Sequence, residues 1–149
     1  MSLKKPIKDY LFVSIQLVIF VAYILPLQVF HLQLPEWLCY SGLVFFVLAV
    51  ILGIVALLQL NTNLSPFPSP VSSGKLITTG AFGMSRHPIY TAFIFSGFGY
   101  AIYTLSLYKF LITLLLFVLF YFKSVYEEKL LSEKFPEYKA YKKRTRRFI

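Results

Sequence analysis

Two charged clusters interrupt an otherwise apolar stretch of chain, Arg86-His87-Pro88 and Glu127-Glu128. A cation, an imidazole and two carboxylates in one place could hold a charged ligand or move a proton. Whether they meet depends on what lies between them. Two apolar runs do, at about 89–105 and 107–126, divided only by Thr104-Leu105-Ser106. So short a break predicts an antiparallel pair of helices. One helix rises for about 17 residues and the other descends for about 19, at about 1.5 Å each. Both clusters therefore return to nearly the same depth. Pro88 suits the first turn of a helix, where its missing N–H is no loss. His87 then stands where free amides and the helix dipole favour a carboxylate or phosphate. Tyr90, three residues on, shares its face and offers a hydroxyl. From geometry alone two readings weigh equally, a binding pocket and a structural ion pair between Arg86 and one glutamate.

The elements that must position these groups are those of a membrane protein. The chain has 149 residues, a net charge of +9, 58% apolar and 19% aromatic residues, and only 14% charged ones. A soluble domain of this size could not bury that much apolar surface, and a disordered chain would not carry it. A single cysteine, Cys39, excludes an internal disulfide framework and a cysteine-rich zinc site. Two earlier runs, about 10–29 and 38–60, also approach the roughly 20 residues a spanning helix needs. Between Tyr10 and Leu60 there is no Lys or Arg, and Glu36 is the only acid. The first run is too long for a signal h-region and no cleavage site follows it, so it reads as a retained helix.

The expected architecture is all-α and integral to the membrane, one domain over 1–149 with four spans. A loop over 61–86, with Pro66, Pro68 and Pro70, joins the second span to the third. A tail over 127–149 reads as an amphipathic interfacial helix, with Leu131, Phe135, Tyr138 and Tyr141 at near-helical spacing. In a four-span arrangement only Lys109 of the 15 basic residues falls on the far side. The positive-inside rule then puts both termini, the loop and the tail in the cytoplasm. Lys142-Lys143-Arg144 and Arg146-Arg147 would attract anionic lipid, and nucleic acid is the weaker reading beside a bilayer. Small size and one cysteine point towards a bacterial inner membrane, and the endoplasmic reticulum also fits.

Other features carry less. His31 reads as solvated on the outer loop, and Cys39 and Met84 have no metal-ligand spacing. Asn61 and Asn63 read as helix-end residues, and the sequon at Asn63 lies on the wrong side for glycosylation. Ala49-x-x-x-Gly53 and Ala92-x-x-x-Ser96 read as helix packing.

Three segments together resemble the isoprenylcysteine carboxyl methyltransferase and phospholipid methyltransferase superfamily. They are Leu76-Ile77-Thr78-Thr79-Gly80-Ala81-Phe82, Arg86-His87-Pro88-Ile89-Tyr90, and Glu127-Glu128 with Leu131, Phe135, Tyr138 and Tyr141. The resemblance covers about 65–149 and implies a membrane enzyme that binds S-adenosylmethionine at the cytoplasmic side. It implies a lipophilic small-molecule acceptor drawn from the bilayer. By that resemblance Leu76 and Ile77 lie along the cofactor, and Phe82, His87, Pro88, Tyr90 and Glu127 line its pocket. Arg86 matches the motif arginine near the reacting groups and Glu128 the second acid of the pair, the two taken as the catalytic residues, with no metal. Phe82 stands where the family commonly has Tyr. Lys123 stands where the prenylcysteine enzymes have a substrate-binding arginine, and offers a point charge in place of a bidentate fork. The competing hypothesis is a non-catalytic four-helix membrane protein that binds lipid or assists a transporter.

Overall fold

The computed structural model describes residues 5–28, 33, 35–61, 65–71 and 74–149. His31 and Asn63 lie outside the described residues. Six helices follow in order: α1 (Ile7–Ile24), α2 (Glu36–Leu60), α3 (Ala81–Met84), α4 (Pro88–Tyr103), α5 (Leu107–Lys134) and α6 (Tyr138–Arg144). Among the described residues there is no strand, only an isolated bridge between Ser85 and Arg146.

By length and composition α1, α2 and α5 can cross a bilayer. Their outward faces are apolar, with Val18, Val21, Val44, Leu48, Leu58 and Leu115 exposed as they would be to lipid. The expected third span, α4, has 16 residues, about 24 Å against a hydrocarbon layer of about 30 Å. It packs along α2 on one side and α5 on the other, and α5 also carries α1.

Small residues explain why α2 and α4 lie so close. A Cβ at Gly99 would stand 2.7 Å from the Phe46 amide nitrogen, and one at Gly42 would stand 2.8 Å from the Gly99 carbonyl. Gly53 faces Ala92 one level further in, so both expected small-residue motifs contribute to this contact. Ser96 itself returns its hydroxyl to its own helix, at the Phe93 carbonyl. Behind α4, a buried cluster of Ile94, Leu116, Leu119 and Phe120 joins it to α5. Ser106 caps α5 by accepting from the Lys109 amide at 3.2 Å, which fixes the hairpin turn.

Two boundaries differ from expectation for local reasons. The first helix ends at Ile24 and not near residue 29, because Leu25 precedes Pro26 and is held extended at φ −58°, ψ 135°. The fourth apolar helix does not stop at 126. It runs to Lys134, since nothing between Tyr126 and Pro136 can break it. Glu127 and Glu128 therefore lie inside a continuous helix. The tail is correspondingly different: Tyr138 and Tyr141 of α6 are 1% and 3% exposed, so its apolar face turns onto the protein.

Candidate functional site

The hairpin brings the two clusters together, but the adjacent glutamates do different things. Successive helical residues point about 100° apart, so Glu127 and Glu128 face different neighbours. Glu128 is buried, its side chain 2% exposed, and it is ringed by cations. Arg86 donates from Nε to Oε1 at 3.0 Å, with Nη2 at 2.9 Å from the same oxygen. Arg147 donates from Nε to Oε1 and from Nη2 to Oε2, each at 3.0 Å. Lys142 Nζ stands 3.1 Å from Oε2, and His87 Nε2 stands 3.3 Å from Oε1. The hydrogen bonds to Glu128 hold the Arg147 guanidinium above its usual range. One carboxylate thus ties α4, α5, α6 and the segment after it into a single knot.

Arg86 extends that knot. Its Nη1 donates to the carbonyls of Lys142 at 2.8 Å and Thr145 at 2.7 Å, satisfying the end of α6. Its backbone amide donates to the Arg146 carbonyl at 2.8 Å, and that of His87 to the Arg147 carbonyl at 3.2 Å. Residues 145–148 therefore form a strap across the start of α4, with the Phe148 ring 6.2 Å from His87.

Glu127 instead faces a cavity. Its Oε2 accepts from the Tyr90 hydroxyl at 2.8 Å and lies 3.8 Å from His87 Nδ1. Tyr90 is held flat between His87, with ring planes 1° apart at 5.3 Å, and Phe120, at 4.4 Å. That stack orients the hydroxyl towards Glu127. Lys123, 1% exposed, stands one turn before Glu127 with Nζ 5.3 Å above the Tyr90 ring. It donates to Gln16 Oε1 at 2.7 Å and to the Pro66 carbonyl at 2.9 Å.

Two adjoining cavities open at this level, of about 320 and 110 Å³. The larger is lined by His87, Pro88, Tyr90, Phe93, Lys123 and Gln16 among others. The smaller is lined by Leu76, Ile77, the proline segment, Leu131 of α5, Phe135 just beyond it, and Tyr138 and Tyr141 of α6. Leu60, Ser65, Phe82, Arg86 and Glu127 line both. Glu128 lines neither. The loop wall is set by Gly80, whose φ of +60° and ψ of −129° suit only glycine. Gln59 Oε1 accepts from the next amide, Ala81 N, at 2.9 Å. On the other side the Tyr141 hydroxyl donates to the Phe82 carbonyl at 2.5 Å.

The sequence model of the phospholipid methyltransferase family matches residues 37–138, from the start of α2 to the start of α6. The chain belongs to that family. No curated protein matches it. Every residue of the Arg86-to-Tyr90 and Glu127-Glu128 clusters lies within the family segment, and the family is one of membrane methyltransferases.

Several groups at this family site were not anticipated. Arg147 and Lys142, which complete the shell of Glu128, sit in a basic run that reads as attracting anionic lipid, and both lie beyond the family segment. Asp9, 0% exposed, accepts from the Ser69 amide at 3.2 Å and so pins the proline segment to α1. Lys5 helps, donating to Ser65 Oγ at 3.2 Å with its ammonium 4.0 Å over the Phe67 ring. Gln16 had a signal in hindsight, as the lone amide inside an apolar helix.

Proposed function

We propose that the chain transfers a methyl group from S-adenosylmethionine to a lipophilic acceptor at the cytoplasmic face of its membrane. One observation carries this reading. Two adjoining cavities, walled by the family hairpin and the proline segment, converge on Glu127, Arg86 and Phe82. Their size and mixed lining suit a small organic ligand with one charged end. The fit to an adenosyl sulfonium rests on that lining: apolar Leu76, Ile77, Phe82 and Leu131 for the flat base, and Glu127 for hydroxyls or an amine. When bound, S-adenosylmethionine supplies an electrophilic methyl group on a sulfonium sulfur.

The remaining contributions come from the protein. The Tyr90 hydroxyl and the stacked His87 ring hold Glu127 in one orientation. Arg86 and Glu128 are engaged with each other and with α6, so in this reading they act by positioning the cavity wall. Lys123 presents its ammonium to the larger cavity, beside the entry for the acceptor. An acceptor carboxylate would need no base. An amine or thiol would need one, and His87 lines the cavity for that role. Alignment of the two reactants and exclusion of water by the proline segment complete what in-line displacement requires. The depth of the site, the inward basic residues and α4 taken as a fourth, short span support a cytoplasmic orientation.

Calorimetric titration of the full chain, in detergent, with S-adenosylhomocysteine tests the proposal. Saturable 1:1 binding that Glu127→Ala abolishes is expected. A folded wild-type protein that takes up no S-adenosylhomocysteine would leave the non-catalytic reading in its place.

A further inference from the structure

Among the described residues, two buried side-chain polar atoms have no hydrogen-bond partner, Asp9 Oδ1 and the Tyr138 hydroxyl. They are not equivalent. The Asp9 carboxylate is engaged through its other oxygen, which accepts from Ser69. The hydroxyl is the only polar group on the Tyr138 side chain, and that residue is 1% exposed. Buried phenols nearly always find a partner, so an orphan needs a physical account.

Its surroundings supply one. Tyr138 lines the smaller cavity together with Arg86, Glu127 and Tyr141. Tyr141, its neighbour one turn on with ring centroids 5.7 Å apart, shows what a satisfied phenol looks like here, donating to the Phe82 carbonyl. Burial, and then the charge of Glu128, push the Tyr138 phenol above its usual range, so it remains a neutral donor. The Arg86 guanidinium fixes α6 through the Lys142 and Thr145 carbonyls. The hydroxyl is thus held in place before any ligand arrives, which reduces the ordering required on binding.

We propose that Tyr138 is a ligand-binding residue of the smaller cavity, its hydroxyl pairing with a polar group of a nucleoside methyl donor. The inference rests on the methyltransferase reading and adds to it a residue contributed by α6.

Tyr138→Phe removes one oxygen and nothing else, and the two roles of that oxygen have opposite signs. A hydroxyl without a protein partner weakens the empty fold, so the variant melts at the wild-type temperature or above it. A hydroxyl that meets the ligand strengthens the complex, so the same variant binds S-adenosylhomocysteine about tenfold more weakly, or about 1.4 kcal/mol. Both measurements use the full chain in the same detergent. Tyr141→Phe serves as the control, losing the Phe82 bond and melting lower. Unchanged affinity in Tyr138→Phe, beside a wild type that binds, overturns this inference and leaves the donor reading intact. A lower melting temperature of the empty variant also overturns it, since the hydroxyl then serves the fold. A wild type that does not bind removes the donor reading itself.

Discussion

Glu128→Gln replaces the one negative charge at the centre of the knot with a neutral amide of the same shape. Arg86, Arg147 and Lys142 are all within 3.1 Å of that carboxylate, and its side chain is 2% exposed. The substitution leaves three cations facing one another without a counter-charge. Removing one partner from a buried ion pair costs about 3–5 kcal/mol. For a chain of this size each kcal/mol moves the melting temperature by about 2–4 °C, so a fall of roughly 10 °C is expected. Glu127→Gln is the matched comparison. Its amide oxygen can still accept from Tyr90, and no Lys or Arg side chain depends on Glu127 for an ion pair among the described residues, so its stability should stay within about 1 kcal/mol of wild type. Thermal unfolding in detergent, followed by tryptophan fluorescence of Trp37 or by circular dichroism, gives one axis. S-adenosylhomocysteine affinity gives the other. Glu128→Gln should fail mainly on the first and Glu127→Gln on the second. If Glu128→Gln melts like wild type while losing affinity, the division between a brace and a binding residue is wrong.

Two further outcomes follow from single atoms. Gly80→Ala forces an alanine into φ +60°, ψ −129°, with a Cβ 1.8 Å from Gln59 Nε2. A loss of about 1–3 kcal/mol is expected from the backbone alone, and chemical denaturation that finds none would mean the loop relaxes freely. Burial, before the opposing effect of Arg86, pushes the Tyr141 phenol up to about 12. A raised pKa means that the folded state holds the proton more tightly. The associated stability is therefore present below about pH 10 and lost as pH rises towards 12. The stability gap between wild type and Tyr141→Phe should narrow over that window, and a gap that widens would refute the donor role of this hydroxyl.

How much of this arrangement was legible in the sequence depends on the range of the forces involved. The hairpin was legible because its evidence is local: two apolar runs, a three-residue break and a proline at one start. Helix length then fixed the depth at which Arg86 and Glu127 meet. Which of Glu127 and Glu128 the cations surround was not legible, since adjacent residues on one helix differ only in what packs against each face. Arg147 was hidden for a related reason. In a run such as Arg144-Thr145-Arg146-Arg147 nothing local marks one guanidinium for pairing, and the partner that selects it lies on another helix. Asp9 was masked by the lysines around it, which suit a headgroup layer, while its actual partner is an amide in the proline segment.

These long-range contacts bear on what must fold together. The family segment ends at residue 138, but Lys142, Arg147 and the carbonyls that Arg86 caps lie after it. Without them Glu128 would keep only Arg86 and His87 in a site from which water is largely excluded. A buried carboxylate so reduced in partners is costly, and the cavity wall that Arg86 forms would lose its fixed position. The same holds at the other end, where α1 supplies Asp9 to the proline segment and Gln16 to Lys123. The cavities are therefore a product of the whole described chain: the family hairpin provides the chemistry-bearing groups, and the flanking segments keep two of its walls in place.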